Sequence, residues 1–129
     1  MAPEKLKLSL CDDDRRFRTL VRAVLDAQDD MQVVSESGDG QTCLREVAET
    51  MPDVVLLDLD MPTMTGYQAL DRLTAVHPAT KVIVLSGEAR EQAEKAVRER
   101  GAIAFIDKGA AELVSSLADR IRAALRDAA

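Results

Sequence analysis

Five short runs rich in Leu, Val and Ile, at Leu6–Cys11 and at residues 32–36, 53–57, 81–85 and 102–106, are separated by longer stretches with helical spacing. The first stretch carries Phe17, Leu20, Val21, Val24 and Leu25, an i, i+3, i+4, i+7, i+8 stripe. The last carries Leu113, Leu117, Ile121 and Leu125 at steps of four, with Arg120, Arg122 and Arg126 on other faces. Strand and helix therefore alternate five times. Such a pattern folds as an open α/β sheet with helices on both faces, and the runs DVVLL and KVIVL are continuous enough to be buried on both sides. In the first strand Lys7 and Ser9 interleave with leucines, so one of its faces is expected to be partly polar or to lie near the rim.

The punctuation agrees with this division. Asp39, between Gly38 and Gly40, is a predicted N-cap of the second helix, and Gly101 ends the fourth. Thr65 followed by Gln68 has capping-box spacing and would start the third helix. The chain of 129 residues is read as a single domain, 1–129, large enough for an ordinary core without disulfides or a structural metal.

A net charge of -6 argues against a nucleic-acid footprint, because a phosphate backbone needs a positive surface. Cys11 and Cys43 lie in no CxxC or Cys/His cluster, so no disulfide framework and no zinc site are expected, and a reduced, cytoplasmic setting is. Lysines interrupt the N-terminal stretch MAPEKLKLSLCDDD, which excludes a signal-peptide apolar region and a membrane span there.

In an open parallel sheet the ligand site lies beyond the carboxyl ends of the strands. Here those ends carry Asp12, Asp13 and Asp14 after the first strand, Asp58 after the third, Ser86 after the fourth and Lys108 after the fifth. Carboxylates, a hydroxyl and an ammonium thus converge on one rim. Phosphoryl transfer needs this set: a carboxylate nucleophile, a hard divalent metal to offset clustered negative charge, and a cation and hydroxyl to hold phosphoryl oxygens. Mg²⁺ is the natural metal for oxygen donors of this kind.

LKLSLCDDD, DVVLLDLDMP, VIVLSG and AFIDKG occur in an order and spacing that resembles the receiver domain of bacterial two-component response regulators, over essentially the whole chain. The resemblance implies a flavodoxin-like (CheY-like) (βα)5 fold with strand order 2-1-3-4-5, CheY being the standard example of that order. It implies a phosphorylation-dependent switch in which Asp58 accepts the phosphoryl group, Asp12, Asp13 and Asp58 hold Mg²⁺, and Asp60 supplies a backbone carbonyl to the metal. It gives Ser86 and Lys108 the phosphoryl oxygens and makes Phe105 the switch aromatic, Ser86 also shifting on activation. A histidine kinase or phosphotransfer protein would be the donor. The output would be a downstream protein or an effector domain, with no direct nucleic-acid or membrane contact by this domain. The KGA after the last strand and Ser86 look most like NarL/FixJ-type receivers, and a homodimer through the fourth helix, fifth strand and fifth helix, or through the first and fifth helices, fits the family.

The loop after Asp58 reads MPTMTG where the family often has MPGMDG, so Thr63 stands for a usual glycine and Thr65 for a usual acid. Gly109 follows Lys108 where many receivers carry proline after a cis peptide. The helix at 89–100 has only Ala89, Ala93, Ala96 and Val97 as its apolar face, so it is expected to be weakly held and part of the moving element. His77, beside Pro78, is read as surface. Two other functions compete. DLD at 58–60 resembles the DxD pair of haloacid-dehalogenase-type phosphatases, although it follows the third strand and has Pro62 two places on. A pseudo-receiver that binds partners without phosphorylation is the other.

Overall fold

The computed structural model describes residues 4–87 and 90–129. The elements alternate as β1 (Leu6–Cys11), α1 (Arg15–Asp26), β2 (Met31–Ser37), α2 (Gly40–Thr50), β3 (Val54–Leu57), α3 (Gly66–Val76), β4 (Lys81–Ser86), α4 (Arg90–Glu99), β5 (Ala104–Asp107) and α5 (Leu113–Ala128). All strand pairs are parallel and the order is β2-β1-β3-β4-β5, as the resemblance implied. The five apolar runs become the five strands, with ends moved by one or two residues where pairing extends past the apolar stretch.

Every residue of β3, and Val82 through Ser86 of β4, is buried, because helices cover both faces of these strands. On one side Leu8, Leu10, Leu56, Ile83 and Leu85 pack against Val21 and Leu25 of α1 and Leu113, Leu117 and Ile121 of α5. On the other, Val55, Leu57, Val82 and Val84 pack against Val47 of α2, Ala69, Leu70 and Leu73 of α3, and Ala93 and Val97 of α4. The stripe on α1 is narrower than its spacing suggested: Val21 and Leu25 are buried, Phe17 and Val24 half-buried, and Leu20 is 48% exposed. Leu20 instead lines an open groove between α1 and α5.

The helix starts follow their caps. The carboxylates of Asp14 and Asp39 accept from backbone N–H groups in the first turns of α1 and α2. Thr65 and Gln68 form the reciprocal capping box of α3. Gly101 adopts φ +107 just past α4, where a left-handed residue closes the helix. Thr63 holds φ +68, the region its usual glycine would favour, and the described peptide bonds, including that after Lys108, are all trans. Ala89 lies outside the described residues, and among its described side chains α4 buries only Ala93 and Val97. His77 is half-buried, its N–H closing α3 on Leu73.

The first strand has the partly polar face expected of it, and that face is buried: Ser9 is fully buried, its hydroxyl 2.7 Å from that of Ser35, while Lys7 is the exposed member of β1. One expectation is corrected. Cys11 and Cys43 are joined as a disulfide, where no disulfide was expected. The crossover of α2 back over β1 brings residues 32 apart in sequence to a Cα separation of 5.8 Å, within disulfide range. Nothing in the local sequence around either cysteine announces that approach.

Candidate functional site

The site sits at the carboxyl ends of β1 and β3, which are neighbours in the sheet. Asp58 N–H donates to the Cys11 carbonyl (2.8 Å) and Asp12 N–H to the Ser37 carbonyl (3.0 Å), so sheet pairing runs one residue past each strand and sets both aspartates level. Gly66, at the start of α3, lies against this backbone: a Cβ there would fall 2.3 Å from the Asp58 carbonyl oxygen. The helix after the acceptor loop therefore packs directly on it, and a glycine is required at the contact.

Asp12, Asp13 and Asp58 each offer a carboxylate oxygen within 4.8 Å of the others. Asp12 and Asp58 are buried, whereas Asp13 is exposed at the mouth. Lys108, from the turn after β5, places its ammonium 2.5 Å from Asp12 Oδ2 and 3.4 Å from Asp58 Oδ2. Its Nζ also lies 4.6 Å from the centre of the Phe17 ring. One cation thus bridges two buried carboxylates, leaving the cluster short of positive charge.

The electrostatics reflect that shortage. Burial, then the negative charge of Asp12, push the Asp58 carboxyl up to about 6, against the opposing pull of Lys108 and of Asp60 N–H. For Lys108, burial acts to lower the ammonium, but the hydrogen bond and charge of Asp12, followed by those of Asp58, outweigh it and hold it above the usual lysine value. The donor set is all oxygen, buried on one side and open at Asp13, which suits a hard divalent cation that keeps some of its waters.

The remaining predicted residues fall as follows. Asp60 N–H donates to Asp58 Oδ1 (3.3 Å) while its side chain is exposed, so its backbone, not its carboxylate, meets the acceptor. Ser86 ends β4 fully buried, and its carbonyl accepts from Lys108 N–H (3.0 Å), tying the fourth and fifth strand ends together. Phe105 is buried on β5 in the cluster beneath α3 and α4. Asp14 is the exposed cap of α1 and takes no part in the cluster.

Arg18 was missed in the sequence. Its guanidinium donates to the main-chain carbonyl of Asp12 and to Glu36, which Arg22 also pairs. Gly38 leaves room for it, since a Cβ there would lie 3.2 Å from Arg18 Nη1. With Ser37 holding the N–H and Arg18 the carbonyl, the Asp12 backbone is fixed on both sides. An arginine one turn after an acidic cluster was the available signal, but its target is a backbone atom that no motif marks.

Comparisons with known proteins agree with this geometry. The chain is 35% identical over 98% of its length to the uncharacterized transcriptional regulatory protein YxjL of Bacillus subtilis. It is 34% identical, over 98% of its length, to a protein-glutamate methylesterase/protein-glutamine glutaminase of Chromohalobacter salexigens. It spans 57% of the first and 38% of the second. Among solved structures, the response regulator domain of Thermotoga maritima CheB superposes with a TM-score of 0.87 at 26% identity, covering 95% of this chain and 98% of that one. The receiver domain of the putative response regulator NarL from Mycobacterium tuberculosis gives 0.82 at 30%, covering 93% and 98%. The response regulator receiver domain model matches residues 8–119, and the chain belongs to that family, whose members are signalling domains of two-component systems.

Proposed function

We propose that this receiver switches by accepting a phosphoryl group on Asp58, with Asp12, Asp13, Asp58 itself and the Asp60 carbonyl holding Mg²⁺. The observation that carries the reading is the bridge of Lys108 across the buried pair Asp12 and Asp58, with Asp13 at the open side. Asp58, ionised above about pH 6, attacks phosphorus in line; the new O–P bond forms as the bond to the donor nitrogen or oxygen breaks, and the electron pair leaves with the donor. Lys108 is already within reach of the oxygen charge that results, and Ser86 takes a second phosphoryl oxygen. A divalent cation held there would supply charge neutralisation that one lysine cannot.

The donor is a histidine kinase or phosphotransfer protein, in a cytoplasmic setting; among the described residues no helix is long and apolar enough to cross a membrane. Residues 1–129 act as one receiver unit, delivering the signal to a downstream protein or an effector domain, with Ser86 and Phe105 relaying the change. No enzymatic activity beyond phosphorylation and dephosphorylation of its own aspartate is proposed.

Incubation with Mg²⁺ and acetyl phosphate, read by intact mass, tests the reading. One phosphoryl group per chain, alkali-labile, absent without Mg²⁺ and absent in Asp58→Asn, is the expected result. Multiple-turnover hydrolysis of varied phosphate esters would support the DxD phosphatase instead, and an unmodified chain the pseudo-receiver.

A further inference from the structure

Under α2 the sheet is lined differently from elsewhere. Where α3 and α4 cover Val55, Leu57, Val82 and Val84, the strands beneath α2 present Ser9, Ser35, Ser37 and Cys11, all buried. The serines bond among themselves or to the strand: Ser9 to Ser35 (2.7 Å), and Ser37 Oγ to Cys11 Sγ (3.3 Å). Their burial returns little of the stabilisation that valine would give in the same places. On its own side α2 buries Gly40, Cys43 and Val47, with Leu44 half-buried against the same cluster. The bond between Cys11 and Cys43 adds a covalent link from α2 to β1.

We propose that Cys11 and Cys43 form a reversible thiol–disulfide modification site, reduced by a dithiol, whose state decides how firmly α2 is held to the sheet. Both sulfurs are buried, at 1% and 0% exposure, so exchange proceeds through local opening of α2, which the serine lining makes less costly than an apolar lining would. Cys43 rides on the opening helix and is the sulfur attacked. A dithiol sulfur bonds to Cys43 Sγ as the bond to Cys11 breaks; Cys11 leaves with the electron pair and gains a proton. The second dithiol sulfur then closes the reagent's own disulfide, releasing Cys43 with the second proton. The dithiol loses two electrons and the protein disulfide gains them. The consequence reaches the site described above, because Gly40 packs so closely on Met64 that a Cβ would lie 2.6 Å from the methionine Cβ, and Met64 lies in the loop after Asp58.

The full chain is equilibrated in mixtures of reduced and oxidised dithiothreitol, trapped by alkylation without denaturant and weighed, and amide exchange is read in both end states. The expected result is conversion between an unalkylated chain, two hydrogens lighter, and a doubly alkylated one, with exchange of α2 at least tenfold faster when reduced and that of α3 changed less than twofold. Cys43→Ser should exchange like the reduced protein. Free thiols that persist in excess oxidised reagent, labelling that requires denaturant, or α2 exchange equal in both states would overturn the proposal. So would Cys43→Ser behaving like the oxidised chain. None of these readouts depends on phosphorylation, so they stand or fall apart from the role given to Asp58.

Discussion

Two helices on the same face of the sheet, α3 and α4, follow strands that end at Asp58 and Ser86, yet they are held in opposite ways. α3 starts on a complete capping box, its first residue is pressed against the Asp58 backbone, and Ala69, Leu70 and Leu73 are fully buried. α4 buries one valine and one alanine. Its described fastenings gather at the C-terminal end: Arg98 donates to the Ile103 carbonyl, and Arg100 reaches across to Asp71 and over the Tyr67 ring of α3. Its other ion pairs, Lys95–Glu99 and Arg98–Glu94, are partly exposed pairs within the helix and add little. The difference teaches where a phosphoryl signal can go. The acceptor is backed by a helix with no slack, so strain introduced at the rim is relieved through the helix that has some.

Core truncation tests the contrast with the largest effect. Leu73→Ala should cost about 3 kcal/mol in urea unfolding, the usual range for a fully buried leucine, while Val97→Ala should cost about 1–2 kcal/mol because fewer atoms are lost and a loosely held helix can settle. Equal losses would break the comparison.

Asp58→Asn examines the acceptor end. A carboxyl whose folded-state value, about 6, lies above its unfolded value binds its proton more tightly when folded, so metal-free stability falls as pH rises from about 4 through 6. The asparagine variant escapes that loss. It should match the wild type near pH 3 and exceed it by about 1–3 kcal/mol at pH 8 without Mg²⁺. A gain that is constant with pH would mean that the buried charge is not the cost.

Thr63→Gly should give the smallest stability change, a gain of up to about 1 kcal/mol by thermal or urea unfolding. A β-branched residue at φ +68 is strained, and glycine relieves that strain but loses more entropy on folding. A loss would show that the threonine side chain has a contact worth more than its strain.

Much of this was legible in the sequence, for identifiable reasons. Parallel strands buried on both faces read as continuous apolar runs, so DVVLL and KVIVL marked the sheet centre without ambiguity, and the acids and lysine stood where those runs stop. Caps at Asp39 and Thr65 are local interactions spanning three residues, and local patterns reveal them. What stayed hidden depends on how distant elements cross. Cys43 meets Cys11 only because α2 returns over β1, Arg18 meets a backbone oxygen, and Ser9 finds Ser35 across a pair of strands whose register shifts between Leu8 and Ser9. Leu20 erred the other way, since spacing counts it in the stripe while only packing shows that the groove beside it is open.

Amide exchange of α3 and α4 in one sample, with and without Mg²⁺ and acetyl phosphate, tests the account most directly. It predicts that α4 is the less protected helix at rest, that its exchange changes on phosphorylation while that of α3 does not, and that Asp58→Asn abolishes the change. An α4 as protected as α3, and unmoved by the phosphoryl group, would contradict it.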